Sequence, residues 1–259
     1  MSVITRMPAI FYGHGSPMNA IEDNPYTRTW ESFATRFARP KAILAISAHW
    51  TTRGTAVTAM AAPKTIHDFG GFPQALFDIS YPAPGDPALA ARVAHLLAPL
   101  PVHLDQQWGL DHGTWSVLIK TYPKADIPVV QLSLDMTQPA AYHFALGQKL
   151  AALRDEGVLI VASGNVVHNL GRMDPRSSGF DWAQRFNLAM RTAIASGQFE
   201  QVVNYDSLGQ DATLSVPTSE HFLPLLYVLG AKTGDEAIEI TTEGMELGAI
   251  SMMSVVIGG

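Results

Sequence analysis

The chain has 259 residues, 47% of them apolar and 15% charged, with a net charge of −6 and no cysteine. That size allows one large hydrophobic core, and the acidic balance excludes the basic stripe with which a nucleic-acid binder neutralises phosphates. The lack of cysteine excludes disulfides, thiolate metal sites and cysteine nucleophiles.

The opening MSVITRMPAIFY soon meets proline and glycine and has no long apolar run, so no signal peptide is expected. No later stretch approaches the roughly 20 apolar residues that span a bilayer. The expectation is a soluble, cytoplasmic protein with no membrane and no nucleic-acid partner. Nine histidines are the unusual component. Without thiolates, His, Asp and Glu must supply any metal or acid–base chemistry.

In chain order, short apolar runs bounded by turn residues predict strands at Ala9–Tyr12, Ala42–Ser47, Thr55–Thr58, Ile127–Leu132, Val158–Ala162, Ala237–Ile240 and Ile250–Val256. Their near-continuous apolarity suits strands buried on both faces. Helical periodicity falls between them. Pro87–Leu97 carries Leu89, Val93, Leu96 and Leu97 on one side; Pro139–Leu153 carries Phe144, Leu146, Leu150 and Leu153; Trp182–Ile194 carries Phe186, Met190 and Ile194. Ser219–Leu229 reads as a short apolar helix opened by a Thr218/Ser219 cap.

This alternation predicts an α/β layered domain. Glu243–Gly248 is short enough for a hairpin-like return between the last two strands, so the sheet is expected to be mixed. No repeat or linker interrupts the chain, and residues 1–259 are read as a single domain. Residues 61–87, rich in Pro and Gly, form a long loop of a kind that is more often functional than idle.

Sites in open α/β sheets gather at the carboxyl ends of strands. Three histidines follow predicted strands there: His14 in Phe11-Tyr-Gly-His-Gly-Ser-Pro17, His49 in Ser47-Ala-His-Trp50, and His168 in Ser163-Gly-Asn-Val-Val-His-Asn169. His221 begins the apolar helix after Pro217-Thr-Ser-Glu220. A lone histidine is ordinarily a hydrogen-bonded, half-buried side chain. Three at equivalent ends of neighbouring strands lie roughly 5–10 Å apart, close enough for imidazole nitrogens to converge on one ion at about 2.0–2.1 Å. The glycines around His14 let the backbone bend tightly there. Spacing alone does not establish convergence, so the structural and the metal-binding readings both stand at this level.

His112 lies in a turn bracketed by Gly109 and Gly113, with Thr114 a candidate helix cap and Asp111 a candidate partner for a histidine. His67 sits in the long loop beside Phe69 and Phe72, which suits a pocket wall and a packed surface loop equally. His95, His103 and His143 lie on or beside periodic segments and read as structural. There is no G-x-S-x-G elbow, and Gly13-His-Gly-Ser16 lacks the Gly-Lys-Ser/Thr ending of a phosphate loop.

The segments GHGSPMN, SAHW, HDFGGFP, Asp111-His112-Gly113, SGNVVHNL and SEHFLPLLYVLGA occur in that order over about residues 7–257. Together they resemble the bacterial 4,5-DOPA extradiol dioxygenase family, the DODA type of class III extradiol ring-cleavage dioxygenase in the LigB superfamily. The resemblance implies a three-layer α/β/α fold with a mixed, mostly parallel central sheet, phosphorylase/hydrolase-like in architecture. It implies a non-haem Fe(II) site, often occupied by Zn(II) in purified members. It also implies that O2 and a catechol such as 4,5-DOPA are the partners, the ring being opened beside its two hydroxyls to a semialdehyde.

Motif for motif, the resemblance implies that His14, His49 and His221 are metal ligands. His168 is implied as the acid–base residue, touching the metal when no substrate is bound, and His112 as a second catalytic residue facing the substrate. Trp50, His67, Phe72 and Tyr81 are expected to wall the substrate pocket, excluding water and stacking on the ring. Protocatechuate-cleaving relatives complete their ligand set with Glu; here that match falls at Glu220-His221, and the histidine is taken. Three neutral imidazoles leave the ion its full 2+ charge and also suit zinc. Two other readings of the same histidines remain open at this level: a zinc hydrolase with His168 as base, and a non-enzymatic metal-binding protein.

Overall fold

An eight-stranded sheet organises the computed structural model, which describes residues 6–259. In chain order the strands are β1 (Ala9–Gly13), β2 (Ala42–Thr52), β3 (Thr55–Thr58), β4 (Val102–Asp105), β5 (Val129–Asp135), β6 (Val158–Gly164), β7 (Ile238–Thr242), β8 (Met245–Glu246), β9 (Ile250–Ser251) and β10 (Ser254–Ile257). Across the sheet the order is β4-β3-β5-β2-β6-β1-β10-β7, with β8 and β9 forming a separate ribbon. β5, β2, β6 and β1 are parallel neighbours. β3 meets β5 antiparallel, and β10 runs antiparallel between β1 and β7. The sheet is therefore mixed, with a parallel centre.

Alternate residues of each strand enter opposite cores. Ala9 and Phe11 of β1, with Leu44 and Ile46 of β2, face one; Ile10 and Tyr12, with Ile43 and Ala45, face the other. A period of two with both faces covered produces the unbroken apolar runs in the sequence. Helices Pro87–Leu97, Ala140–Leu150, Asp181–Ala195 and Leu223–Gly230 close the first core; Pro25–Arg36 and His112–Thr121 close the second. The result is three layers, α/β/α. No helix among the described residues is long and apolar enough to cross a membrane.

Several boundaries differ from the sequence expectations, each for a local reason. Helix Pro25–Arg36 buries only Thr27, Trp30 and Phe33, so its apolar stripe is thin. It is specified at its start instead: the Asn24 side chain accepts from the Tyr26 and Thr27 amides, and Thr27 Oγ1 accepts from the Asn24 amide. β4 is a half-exposed strand paired, among the described residues, with β3 alone, and its sequence VHLD has no apolar run. The predicted Ile250–Val256 strand divides into β9 and β10 around buried Met252 and Met253. The last apolar helix begins at Leu223 with Pro224 in its first turn, so His221 lies in the turn before the helix rather than on it.

His143 is a buried core residue whose Nδ1 lies 3.0 Å from the Tyr227 hydroxyl. Burial holds its pKa down to about 4, against an upward pull from Asp135. In the unfolded chain an imidazole titrates near 6.5. Between those values the unfolded state binds the extra proton, so the stability contributed by neutral His143 is present above pH 6.5 and is lost as pH falls toward 4. Urea unfolding of the metal-free protein should therefore fall less steeply with acid in His143→Gln than in wild type, by about 1 kcal/mol per pH unit. Parallel pH profiles would contradict the assignment.

Candidate metal centre and cavity

β2, β6 and β1 are adjacent and parallel, so their carboxyl ends meet on one patch of the sheet edge. His14 follows β1 directly. A Cβ on Gly13 would fall 2.5 Å from the Met253 carbonyl oxygen, so this strand end packs on backbone that only glycine admits; Gly15, at φ +60°, then turns the chain away. The His14 amide donates to the Gly164 carbonyl at 3.0 Å, and Asn19 Nδ2 donates to the His14 carbonyl at 2.9 Å. His14 Nδ1 lies 2.7 Å from Ser163 Oγ, which leaves Nε2 for a ligand.

His49 lies in the last turn of the pleat of β2, where the pairing with β5 shifts register between Ile46 and Thr51. Such irregularities re-aim side chains next to sites. His49 Nδ1 is 3.6 Å from Asp68 Oδ2, and its buried Nε2 has no hydrogen-bond partner among the described residues. His221 is brought in by Gly164: a Cβ there would sit 2.2 Å from the His221 carbonyl oxygen. The glycine lets that segment close on the end of β6, where the Asn165 amide donates to the same carbonyl at 2.8 Å. His221 Nδ1 lies 3.2 Å from Glu220 Oε1.

One ring nitrogen from each of His14, His49 and His221 therefore lies within 4.8 Å of the other two. Burial, reinforced by the neighbouring imidazoles, holds His14 and His221 well below the usual imidazole pKa; burial and His112 push His49 down to about 3 despite Asp68. All three are neutral at physiological pH, the form in which imidazole ligates a metal. An unpartnered buried nitrogen is costly. Three neutral imidazoles around one point form a donor set for a first-row divalent ion, with coordination positions left open. The residues fit a metal ion.

Asp68 supports this group from behind. It accepts from the His112 amide at 2.9 Å, lies 2.9 Å from His112 Nδ1, and also faces His49. Burial raises its pKa, but the contacts with His112 outweigh burial and keep it below the ordinary value. A carboxylate behind a ligating histidine fixes ring orientation and tautomer. Asp111, not Thr114, caps helix His112–Thr121, accepting from the Thr114 amide at 3.2 Å. Gly113 lets the first turn of that helix approach His49, since a Cβ there would meet His49 Cδ2 at 2.8 Å.

His168 is outside the three-nitrogen group. It stacks face to face on His221, with ring centroids 3.5 Å apart and planes 7° apart. Burial lowers its pKa to about 4, with Glu220 pulling the other way. The five histidines 14, 49, 112, 168 and 221 open on a cavity of about 410 Å³, walled mainly by Phe69, Phe72, Leu170, Met173, Leu247 and Ile250.

Of the expected wall residues, Phe72 lines this cavity, whereas Trp50, His67 and Tyr81 do not. Trp50 neighbours His49 on an extended strand and so points to the other side; it stacks on Trp108 at 5.6 Å. His67 Nε2 is 3.0 Å from the Ile79 carbonyl, and the Tyr81 hydroxyl donates to the Tyr122 carbonyl at 3.0 Å. Both pin the long loop rather than wall the cavity. Asp68 and Phe69 fall in the HDFGGFP segment, whose position in a long loop was their only signal. Leu170, Met173 and the Glu246–Ile250 ribbon carry no signal in the sequence, because tertiary packing alone brings them to the cavity.

Residues 4–258 match the family described as the catalytic LigB subunit of aromatic ring-opening dioxygenase. The chain is 60% identical over 261 positions to the 4,5-DOPA dioxygenase extradiol of Escherichia coli (strain K12), covering 98% of this chain and 96% of the relative. It is 41% identical to the Beta vulgaris protein of the same name, covering 93% and 92%. The crystal structure of an uncharacterized protein from Escherichia coli K12 superposes with a TM-score of 0.86 at 53% identity, covering 98% of this chain and all of the other.

Proposed function

This chain belongs to the LigB family of aromatic ring-opening dioxygenases and is an extradiol ring-opening enzyme; from that premise we propose that its substrate is a catechol and its working metal Fe(II), held by His14, His49 and His221. The observation that carries the reading is the trio of neutral imidazoles, His14 and His221 buried and His49 half-buried, opening on an apolar cavity. Bound there, Fe(II) would supply the redox chemistry that joins a catechol to O2.

The remaining tasks fall to the chain. His168, neutral at physiological pH with a pKa near 4, accepts a proton from a catechol hydroxyl and returns it later in the reaction. His112, oriented by Asp68, is the second histidine to face the ring. Phe69 and Phe72 offer aromatic faces, and Leu170 and Met173 exclude water. Residues 1–259 act as a single catalytic domain in this reading. Family membership overturns the non-enzymatic reading of the same histidines, and no observation favours the zinc hydrolase.

The test is reconstitution without air. Protein loaded with Fe(II) and mixed with a catechol such as DOPA should consume O2 in equal amount to catechol when air is admitted, with a yellow ring-opened product. Zn(II) suits the same donors but does not change oxidation state, so zinc-loaded protein should bind catechol and consume no O2. No uptake by the iron-loaded protein with any catechol would contradict the reading.

A further inference from the structure

Among the described residues that line the cavity Glu246 is the one carboxylate, and none is Lys or Arg. It lies on β8, paired across the ribbon with Ile250, itself a lining residue, so its backbone is held at the cavity wall. The side chain is half-buried. Burial and the nearby Glu22 both push its pKa up, with no opposing cation. Among the described residues no ion pair involves Glu246. Arg172, between the lining residues Leu170 and Met173, is itself exposed and lies outside the lining.

A partly desolvated carboxylate without a partner is a cost to the free protein. The same group gives a charge-assisted contact to any ammonium that enters, and repels a carboxylate. Among the described residues Glu246 is the only Asp, Glu, Lys or Arg side chain that the cavity lining presents beside its histidines.

We propose that Glu246 is a specificity-determining residue that receives an ammonium group on the substrate's side chain, so that the enzyme takes catechols with a cationic tail in preference to neutral or acidic ones. The catechol half of this statement rests on the ring-opening reading; the charge of the tail does not.

The experiment compares catechols bearing aminoethyl, propyl and carboxymethyl chains. Each is titrated without air into zinc-loaded protein by calorimetry, and each is turned over by the iron-loaded enzyme. Wild type should bind the aminoethyl compound about tenfold more tightly than the propyl compound, and the carboxymethyl compound most weakly. Glu246→Gln should collapse the aminoethyl-to-propyl affinity ratio to near one, with the same change appearing in KM rather than kcat. Equal binding of all three by wild type, or a Glu246→Gln variant that weakens all three alike, overturns the proposal. Iron-loaded enzyme that opens none of them overturns the ring-opening reading instead, and the affinity order then decides the role of Glu246 by itself.

Discussion

His49→Ala is expected to abolish both metal binding and ring opening while leaving the fold intact. The buried Nε2 of His49 has no hydrogen-bond partner among the described residues. Its ring centroid lies 5.3 Å from that of His14 and 5.0 Å from that of His221, and an ion shared by the three gives that nitrogen its bond. Four-ligand zinc sites bind with roughly 10–16 kcal/mol, so losing one imidazole of three costs on the order of 3 kcal/mol or more, a hundredfold or more in affinity. The parallel register of β2 with β6 runs from Ala42 to Ser47 and ends before His49, so truncation leaves the sheet pairing untouched. Metal content after anaerobic dialysis should fall to background with O2 uptake, while the metal-free variant unfolds cooperatively as wild type does. Full activity at wild-type iron content would remove His49 from the ligand set.

His168→Ala and His168→Gln are expected to lose turnover and keep the metal. General acid–base catalysis contributes about 10²- to 10⁴-fold, and a fall of that size in kcat is the expected result. His168 lies outside the group formed by His14, His49 and His221; it stacks on the His221 ring and groups separately with Glu220 and His221, their donor atoms within 4.8 Å of one another. Its loss should therefore leave iron affinity within a few-fold of wild type. The Gln variant keeps a planar polar group against His221 but cannot carry the proton, so the two variants should be equally slow. A fall in iron affinity as large as that of His49→Ala would make His168 a ligand.

The two variants probe features of unequal visibility in the sequence. The central strands were legible because burial on both faces leaves runs such as Ala42–Ser47 and Val158–Ala162 without polar interruption. β4 and helix Pro25–Arg36 were not, the one being a half-exposed strand and the other burying three side chains. At the site, histidines at or near the carboxyl ends of strands were legible because parallel strands bring those ends together, although β2 runs on to Thr52 and so carries His49 within it rather than after it. The resemblance supplied the choice of His221 over Glu220. In the structure the His221 nitrogen joins the trio, with Glu220 beside its Nδ1.

The cavity wall could not be read in this way. Trp50 and Tyr81 have the aromatic character of a wall, but strand alternation turns one away and a buried hydroxyl contact holds the other in the loop's own core. The residues that do line the cavity come from segments as distant as Phe69, Leu170 and Glu246; Phe69 and Phe72 had the long loop as a signal, and nothing local marks Leu170 or Glu246. Glycine carried more information than its frequency suggests. Gly13 and Gly164 each occupy a point where a methyl group would strike backbone, and both contacts position a histidine.

In the proposed reaction both atoms of one O2 enter one catechol at the centre formed by His14, His49 and His221. The direct measurement is turnover under isotopically heavy O2 by the iron-loaded enzyme, with the product reduced at once to prevent oxygen exchange and then weighed by mass spectrometry. A ring-opened product carrying both heavy atoms in wild type, and no product from His49→Ala, is the predicted result. A product that takes its new oxygen from water, or equal labelled yields from wild type and His49→Ala, would contradict it.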